Sequence, residues 1–269
     1  MTRGSVFTAA DHTWVICAWR ESPYLEECVR SLLRQTARSG VRIVTSTPCA
    51  YIDGIAVKHG LQAFVNHGKN GISGDWNFAL RPGETELITI AHQDDVYEPG
   101  YTAEMLQKIN RYDRPILYFT NYGEIRDGER ETGNRLLRIK RLLMIPTRLF
   151  PGRRFFRRMS LAFGNAVCCP SVTYLRSVVG EDPFSDRFKS NLDWELTEKL
   201  SMEKGQFVYH PEVLMYHRIH EASTTTEIIG DHQRTAEDYE MMKKFWPDGI
   251  ARRLSKMYAA SEKSNQVQK

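Results

Sequence analysis

Two adjacent carboxylates, Asp94 and Asp95, close the stretch His92-Gln93-Asp94-Asp95, directly after the apolar run Glu86-Leu-Ile-Thr-Ile-Ala91. Such a run reads as a buried strand, with the acid pair at its C-terminal exit. In open α/β sheets the crevice beyond the carboxyl ends of the strands is where ligands bind. Two neighbouring acids repel each other unless something positive lies beside them. A hard divalent cation, Mg²⁺ or Mn²⁺, takes oxygen ligands and shares them with phosphates, so a metal carrying a nucleotide diphosphate would meet that need. A purely local reading competes with it: Asp ahead of Pro99 opens a turn and caps the helix that follows.

Four further groups of residues carry chemistry. Ala18-Trp19-Arg20 and Thr45-Ser46-Thr47-Pro48 leave two earlier strands and open onto the same edge as Asp94, where backbone and small hydroxyls can hydrogen-bond a base or ribose; a plain turn would look the same. Gly68, Gly71 and Gly74 surround Lys69 and Asn70 ahead of Asp75-Trp76-Asn77. Glycine lets backbone approach a ligand, and a helix start favours anions, although the P-loop order is absent. Asp193, in Asn191-Leu-Asp-Trp-Glu-Leu196, falls in the first turn of a helix expected to run to about Lys204. There it is either a cap or a general base aimed into a cleft. Only one of Asp193 and Glu195 can face a substrate, because residues two apart diverge on a helix. Last, Tyr216-His-Arg-Ile-His-Glu-Ala-Ser-Thr-Thr225 follows the strand-like Val213-Leu-Met215 and suits a lid over a diphosphate, with His220 as metal or phosphate ligand.

The elements that must position these groups alternate. Strands are expected at 13–18, 41–44, 61–65, 86–91 and 116–119, with helices from Ser22-Pro23, over 51–59, over 75–80 and from Pro99 to about Asn110. Strand and helix at this rhythm imply βαβ units and a mainly parallel sheet. The 269 residues, 41% hydrophobic and 26% charged, suit one large α/β domain with appendages. A net charge of +4 is too small to argue for nucleic acid. Five cysteines, without a Cys-x-x-Cys pair, exclude a disulfide framework and fit a reducing compartment. No signal peptide is visible and no stretch is long and apolar enough to span a bilayer, so the expected location is the cytoplasmic side.

Taken in order, these positions resemble glycosyltransferase family 2, nucleotide-sugar transferases of the GT-A fold. The resemblance rests on the helix Glu27-Cys-Val-Arg-Ser-Leu-Leu-Arg-Gln-Thr36, the Gly-rich stretch into Asn77, Gln93-Asp94-Asp95, Leu192-Asp-Trp-Glu195 and Arg218-Ile-His220, over roughly residues 13–225. It implies a Rossmann-like, mainly parallel sheet flanked by helices. It implies an inverting transferase that moves a hexose or deoxyhexose from a nucleotide-sugar donor to a hydroxyl of a glycan or polyprenyl-diphosphate-linked acceptor, in cell-surface polysaccharide synthesis. The implied roles are ribose and donor binding for Asp94, metal binding for Asp95 and His220, and catalytic base for Asp193. Ala18, Trp19, Arg20, Ser46, Gly74, Asn77 and Gln93 complete the expected donor site. Asn165, Trp194, Glu195, His217 and Arg218 are expected at the acceptor or lid. Two departures stand out: Thr45-Ser46-Thr47 replaces acids that usually follow the second strand, and Trp76 replaces a basic residue before Asn77.

Between Thr132 and Gly180 there is no Asp or Glu, while Arg135, Arg138, Lys140, Arg141, Arg148, Arg153, Arg154, Arg157 and Arg158 alternate with leucine, isoleucine and phenylalanine. That pattern over 132–162 reads as a cationic amphipathic segment on an anionic inner leaflet, as a packed helix with solvated arginines, or as a loop whose arginines bind the donor phosphates. The expected organisation is a transferase domain over 1–230 and a C-terminal helical extension over 231–269. The alternatives are a metal-dependent phosphohydrolase built on His92, Asp94, Asp95, His217 and His220, and a catalytically silent GT-A-like binding protein.

Overall fold

The computed structural model describes residues 6–220 and 233–263. Strand β1 (His12–Ala18) leads to helix α1 (Leu25–Leu33), β2 (Gly40–Thr45), α2 (Ala50–His59), β3 (Gln62–Val65), α3 (Ile72–Ala79) and β4 (Leu87–His92). Next come β5 (Val96–Tyr97), α4 (Tyr101–Ile109), β6 (Pro115–Arg126) and β7 (Glu129–Glu131). Three helices follow, α5 (Arg135–Leu143), α6 (Ile145–Leu149) and α7 (Arg154–Leu161), then β8 (Val172–Leu175), α8 (Arg176–Val179), α9 (Leu192–Ser201) and β9 (Gln206–Ile219). The last elements are α10 (Gln233–Lys243) and α11 (Asp248–Lys263).

The sheet runs β3-β2-β1-β4-β8-β6-β9-β5, with β7 on β6. Its first four strands are parallel, as the βαβ rhythm requires. β8 then enters antiparallel to both β4 and β6, β9 runs parallel to β6, and β5 antiparallel to β9. The expected Rossmann-like α/β architecture is therefore present, with one correction: its second half is mixed. β8 is a four-residue strand whose pairing is non-local on both sides, which periodicity cannot reveal.

Alternation on β1 divides the core. Trp14, Ile16 and Ala18 join the cluster under α1, α2 and α4, while Val15 joins the cluster under α3, α9 and the C-terminal helices. Both faces are covered, which is why the parallel strands read as continuous apolar runs. On α1, Leu25, Cys28, Val29 and Leu32 recur at helical spacing and are buried. Met241, Met242 and Ala251, from α10 and α11, are fully buried in the same cluster as Trp194 and Phe207. α3 starts three residues earlier than expected, because Gly71 takes a left-handed backbone (φ 96°) ahead of Ile72. Gly74 thus lies inside the helix, where a Cβ would come 2.0 Å from the Lys69 carbonyl oxygen. The long basic segment is three short helices, and α9 ends at Ser201 rather than near Lys204.

His12 is buried between the Ser39 and Thr89 hydroxyls, 2.8 Å from each. Burial pushes its pKa down to about 3, so it stays neutral in the fold. The unfolded chain binds the extra proton below the ordinary histidine value, so stability falls as pH drops from about 6.5 toward 3, by roughly 1.4 kcal/mol per unit from this residue. Replacing His12→Gln should flatten that acid slope by about one proton, measured as the difference between wild-type and variant denaturant unfolding across the window.

Candidate active site

Asp95 is the centre of the site and is completely buried. Its position follows from β5. Val96 pairs with Tyr216 and Tyr97 with Met215, which brings the start of β5 against the end of β9. Oδ1 of Asp95 accepts the backbone N–H of Arg218 at 3.0 Å and lies 3.0 Å from His217 Nδ1. Arg218 also donates from Nε to the Asp94 carbonyl (2.9 Å) and from Nη2 to Glu27 Oε2 (2.6 Å), with its guanidinium over the Tyr24 ring. His220 Nε2 lies 2.9 Å from Asp94 Oδ2. Burial works to raise the Asp94 carboxyl, but the His220 hydrogen bond and the neighbouring histidines hold it below the usual range. Burial works equally against charge on His217, yet the Asp95 carboxylate beside it pushes its pKa up to about 9.

Tyr216, His217 and Arg218 were expected in a lid loop. They are strand residues, because β9 stays paired with β6 through Ile219. The remainder of that expected lid, Glu221–Thr225, lies outside the described residues.

Among the described residues one group can hold a metal ion: His92, Asp94 and Asp95, with ligand atoms all within 4.8 Å of one another. Asp95 Oδ2 and His92 Nε2 are buried without a hydrogen-bond partner. Buried polar atoms left unpaired are costly. Two carboxylates and an imidazole form a donor set that fits Mg²⁺ or Mn²⁺. The residues present therefore fit the expected cation. His92 joins the acid pair in that group, and His220, expected as a ligand, lies 2.9 Å from Asp94 Oδ2. Trp76, in place of a basic residue, stacks on the His92 ring at 5.3 Å and 20°.

The motif on α1 supports this edge from behind. Tyr97 N–H donates to Ser31 Oγ (3.2 Å), Thr102 N–H to Gln35 Oε1 (2.9 Å), Gln35 Nε2 to the Glu98 carbonyl (2.8 Å), and Thr36 N–H to the Pro99 carbonyl (2.8 Å). Ser31, Gln35 and Thr36 thus pin the backbone that immediately follows the acid pair.

The expected donor residues divide into two kinds. Gln93 spends its amide on Trp19, accepting from the backbone N–H at 2.9 Å and donating to the carbonyl at 3.1 Å, and so ties the end of β1 to the acid pair. Ala18 is buried, whereas Trp19 is exposed with the Arg20 guanidinium stacked over it at 4.2 Å. Arg20 takes a left-handed backbone (φ 55°), held by its N–H donating to Thr47 Oγ1 at 2.6 Å. Asn77 spends its amide on the backbone of Phe184, and Gly74 serves the close approach of Lys69; neither presents a free group to a donor. Ser46 donates to Asp75 Oδ2 (2.8 Å), whose other oxygen accepts from Asn66 (2.9 Å). Asp75, Asn66, Tyr24 and Glu27 complete the site and had no expected partner there, whereas His92 was expected beside the acid pair only in the phosphohydrolase alternative. The only signal available was proximity to the glycine cluster, the acid pair and the α1 motif.

Asp193 begins α9. Its carboxylate accepts from Asn165 Nδ2 (2.7 Å) and from the Trp194 N–H (2.8 Å). Burial pushes its pKa up, only partly offset by these hydrogen bonds, and His92 is close enough for its charge to act on it. The helix start is clamped by α10: Glu237 accepts the backbone N–H groups of Lys189 and Ser190 at 2.9 Å, and Asn191 donates to Asp238 at 2.8 Å. Trp194, expected at the acceptor side, is a core residue with zero exposure whose indole donates to the Leu161 carbonyl. Glu195 pairs with Arg187 and Lys244 and bonds Ser185, away from Asp193 as its spacing requires.

With this geometry in place, the chain matches the family described as glycosyl transferase family 2 over residues 13–181. No curated protein sequence matches it significantly. Solved structures share the fold. TarS (1–349) of S. aureus in complex with UDP-GlcNAc superposes with a TM-score of 0.62 at 14% identity, over 91% of this chain and 70% of TarS 1–349. Glucosyl-3-phosphoglycerate synthase of Mycobacterium tuberculosis, in complex with Mn²⁺ and UDP-Glc, gives 0.55 at 12% identity, over 89% and 80% of the two chains. The mannosyltransferase PcManGT of Pyrobaculum calidifontis, in complex with GDP-Man and Mn²⁺, gives 0.59 at 12% identity, over 96% and 76%.

Removing one ligand oxygen while keeping shape tests the cation site. Mn²⁺ titrated into the protein and followed by electron paramagnetic resonance should bind with about 1:1 stoichiometry. Asp95→Asn should weaken that binding by at least about tenfold, the scale on which altered metal-site residues act. Because the matched region extends from β1 to Glu181 and the ordered acid pair, pinning helix and glycine loop all fall within it, the chain belongs to glycosyl transferase family 2.

Proposed function

We propose that this chain transfers a hexose or deoxyhexose from a nucleoside-diphosphate donor to an acceptor hydroxyl, with inversion at the anomeric carbon. The observation that carries the reading is the buried, unpaired pair Asp95 Oδ2 and His92 Nε2, beside Asp94 and within electrostatic reach of Asp193. His92, Asp94 and Asp95 would hold Mg²⁺ or Mn²⁺. When bound, the ion would neutralise charge on the departing diphosphate. The cations and donors of the similar solved structures agree in kind: UDP-sugars or GDP-Man, two of them with Mn²⁺.

In this reading Asp193 takes the proton from the acceptor hydroxyl as it attacks. Its raised pKa makes it a stronger base than a surface carboxylate. Asn165 fixes the orientation of that carboxylate. Trp19, Arg20 and Ser46 face the donor at the ends of β1 and β2, and Asp75 supplies, from α3, the carboxylate that Thr45-Ser46-Thr47 lacks. The acceptor is a glycan or a polyprenyl-diphosphate-linked sugar in cell-surface polysaccharide synthesis, met at the cytoplasmic face. A phosphohydrolase with two metal ions finds less support, since the described residues contain one metal-capable group.

Two readouts on one variant test the base. Asp193→Asn should lower kcat by about 10²–10⁴-fold with Mn²⁺-dependent donor affinity unchanged. An acid with a raised folded pKa favours folding at low pH and opposes it as pH rises through that value. The amide should therefore raise the melting temperature at neutral pH. Loss of donor binding together with activity would argue against Asp193 as base, and donor hydrolysis undiminished by the substitution would favour the hydrolase.

A further inference from the structure

The nine basic residues between Asn134 and Ala162 separate into two sets in the fold. Five are committed to protein partners. Lys140 donates to the Tyr122 hydroxyl, Arg141 to the Thr132 carbonyl, Arg157 to the carbonyls of Glu203 and Gly205, and Arg158 to Glu198 and the Lys244 carbonyl. Arg154, although exposed, reaches the Met202 carbonyl. Arg135, Arg138, Arg148 and Arg153 are exposed and make no side-chain hydrogen bond or ion pair among the described residues.

Exposed apolar side chains accompany those four. On α5, Arg135, Arg138, Ile139 and Leu142 recur at three- and four-residue spacing and share one face, while Leu137 on the other side is buried. Leu142 is 63% exposed, Leu149 64% and Phe155 67%, joined by Ile145 and Phe150. The Phe150 and Phe156 rings stack at 4.3 Å, and Phe155 meets Phe156 edge-on, so the α6–α7 corner is a fixed aromatic knob. Scattered exposed apolar residues are ordinary, but a cluster of this kind marks an interaction surface.

We infer that the outer face of α5, α6 and α7 docks on an anionic lipid bilayer. Charge complementarity selects this occupant. From Thr132 to Gly180 the chain itself has no carboxylate, so the three helices present arginines and no acid of their own to anionic headgroups. Interleaved Leu, Ile and Phe enter the headgroup boundary, as in interfacial amphipathic helices. No helix of the described residues is long and apolar enough to cross a membrane, so the contact is peripheral. Behind this face, the buried Leu161 at the end of α7 accepts the Trp194 indole N–H, and Asn165 four residues on holds Asp193, so α7 connects directly to the segment that orients Asp193. The inference stands on this surface alone and not on the transfer reaction.

Flotation of the full chain with phosphatidylcholine vesicles, and with vesicles containing phosphatidylglycerol as well, tests it. The protein should float only with the anionic vesicles, and raised salt should weaken the association. Arg138→Glu combined with Arg148→Glu should weaken partitioning by about 25-fold or more, roughly fivefold for each arginine lost. Leu142→Glu combined with Phe155→Glu should abolish flotation. Because these side chains are exposed, melting temperatures should stay at the wild-type value. Absent flotation, or equal flotation of well-folded variants, would overturn the inference. So would a dimer in sedimentation velocity that the same substitutions dissolve, since a second copy would then cover the face.

Discussion

A carboxylate with no solvent exposure organises this protein. Burying Asp95 is costly unless both of its oxygens are satisfied, and the fold satisfies only one. His217 and the Arg218 backbone take Oδ1, which requires β9 to run on to the start of β5. The other oxygen has no hydrogen-bond partner and lies 3.9 Å from Nδ1 of His92, whose Nε2 also has none. Much of the surrounding structure keeps that arrangement rigid. α1 fastens the backbone after the acid pair, Gln93 fastens β1 to it, and the Trp76 ring backs His92. Arg218 joins the Asp94 carbonyl to Glu27 on α1, so strand, loop and helix are locked by one guanidinium.

The Asp193 end of the site is built differently. Asp193 belongs to a helix whose first turn is held from outside by Glu237 and Asp238. The C-terminal helices also fill the core beside Trp194, and Trp246 donates to the Ala162 carbonyl. A buried carboxyl with a raised pKa, such as Asp193, is an energetic liability for the fold at neutral pH. Clamping its helix from a second element keeps the carboxylate placed despite that cost, a division of labour common where function and stability compete.

Several assignments were legible because they depend on short-range pattern. The parallel strands, the amphipathic α1 and the exit of β4 into Asp94 all follow from local periodicity and turn chemistry. Where reading failed, a non-local partner decided. Trp194 follows Asp193 in sequence, yet the helix turns it into the core. Asn77 and Gln93 look like free amides, but distant backbone groups at Phe184 and Trp19 consume them. Asp75 was one acid in a glycine-rich stretch until β2 and β3 brought Ser46 and Asn66 against it. The basic segment shows the same limit: nine cations look equivalent along the chain, and packing committed five of them to protein atoms.

By itself, the order of residues determined the class of fold, the family and the edge of the sheet that carries the candidate site. Each of those rests on contacts a few residues long or on motifs kept in line along the chain. Tertiary structure alone decided that His217 meets Asp95 and His220 meets Asp94, which carboxylate faces Ser46, and which arginines remain free. Those outcomes depend on strands such as β5 and β8, two and four residues long, whose pairing energy comes entirely from partners far away in the chain.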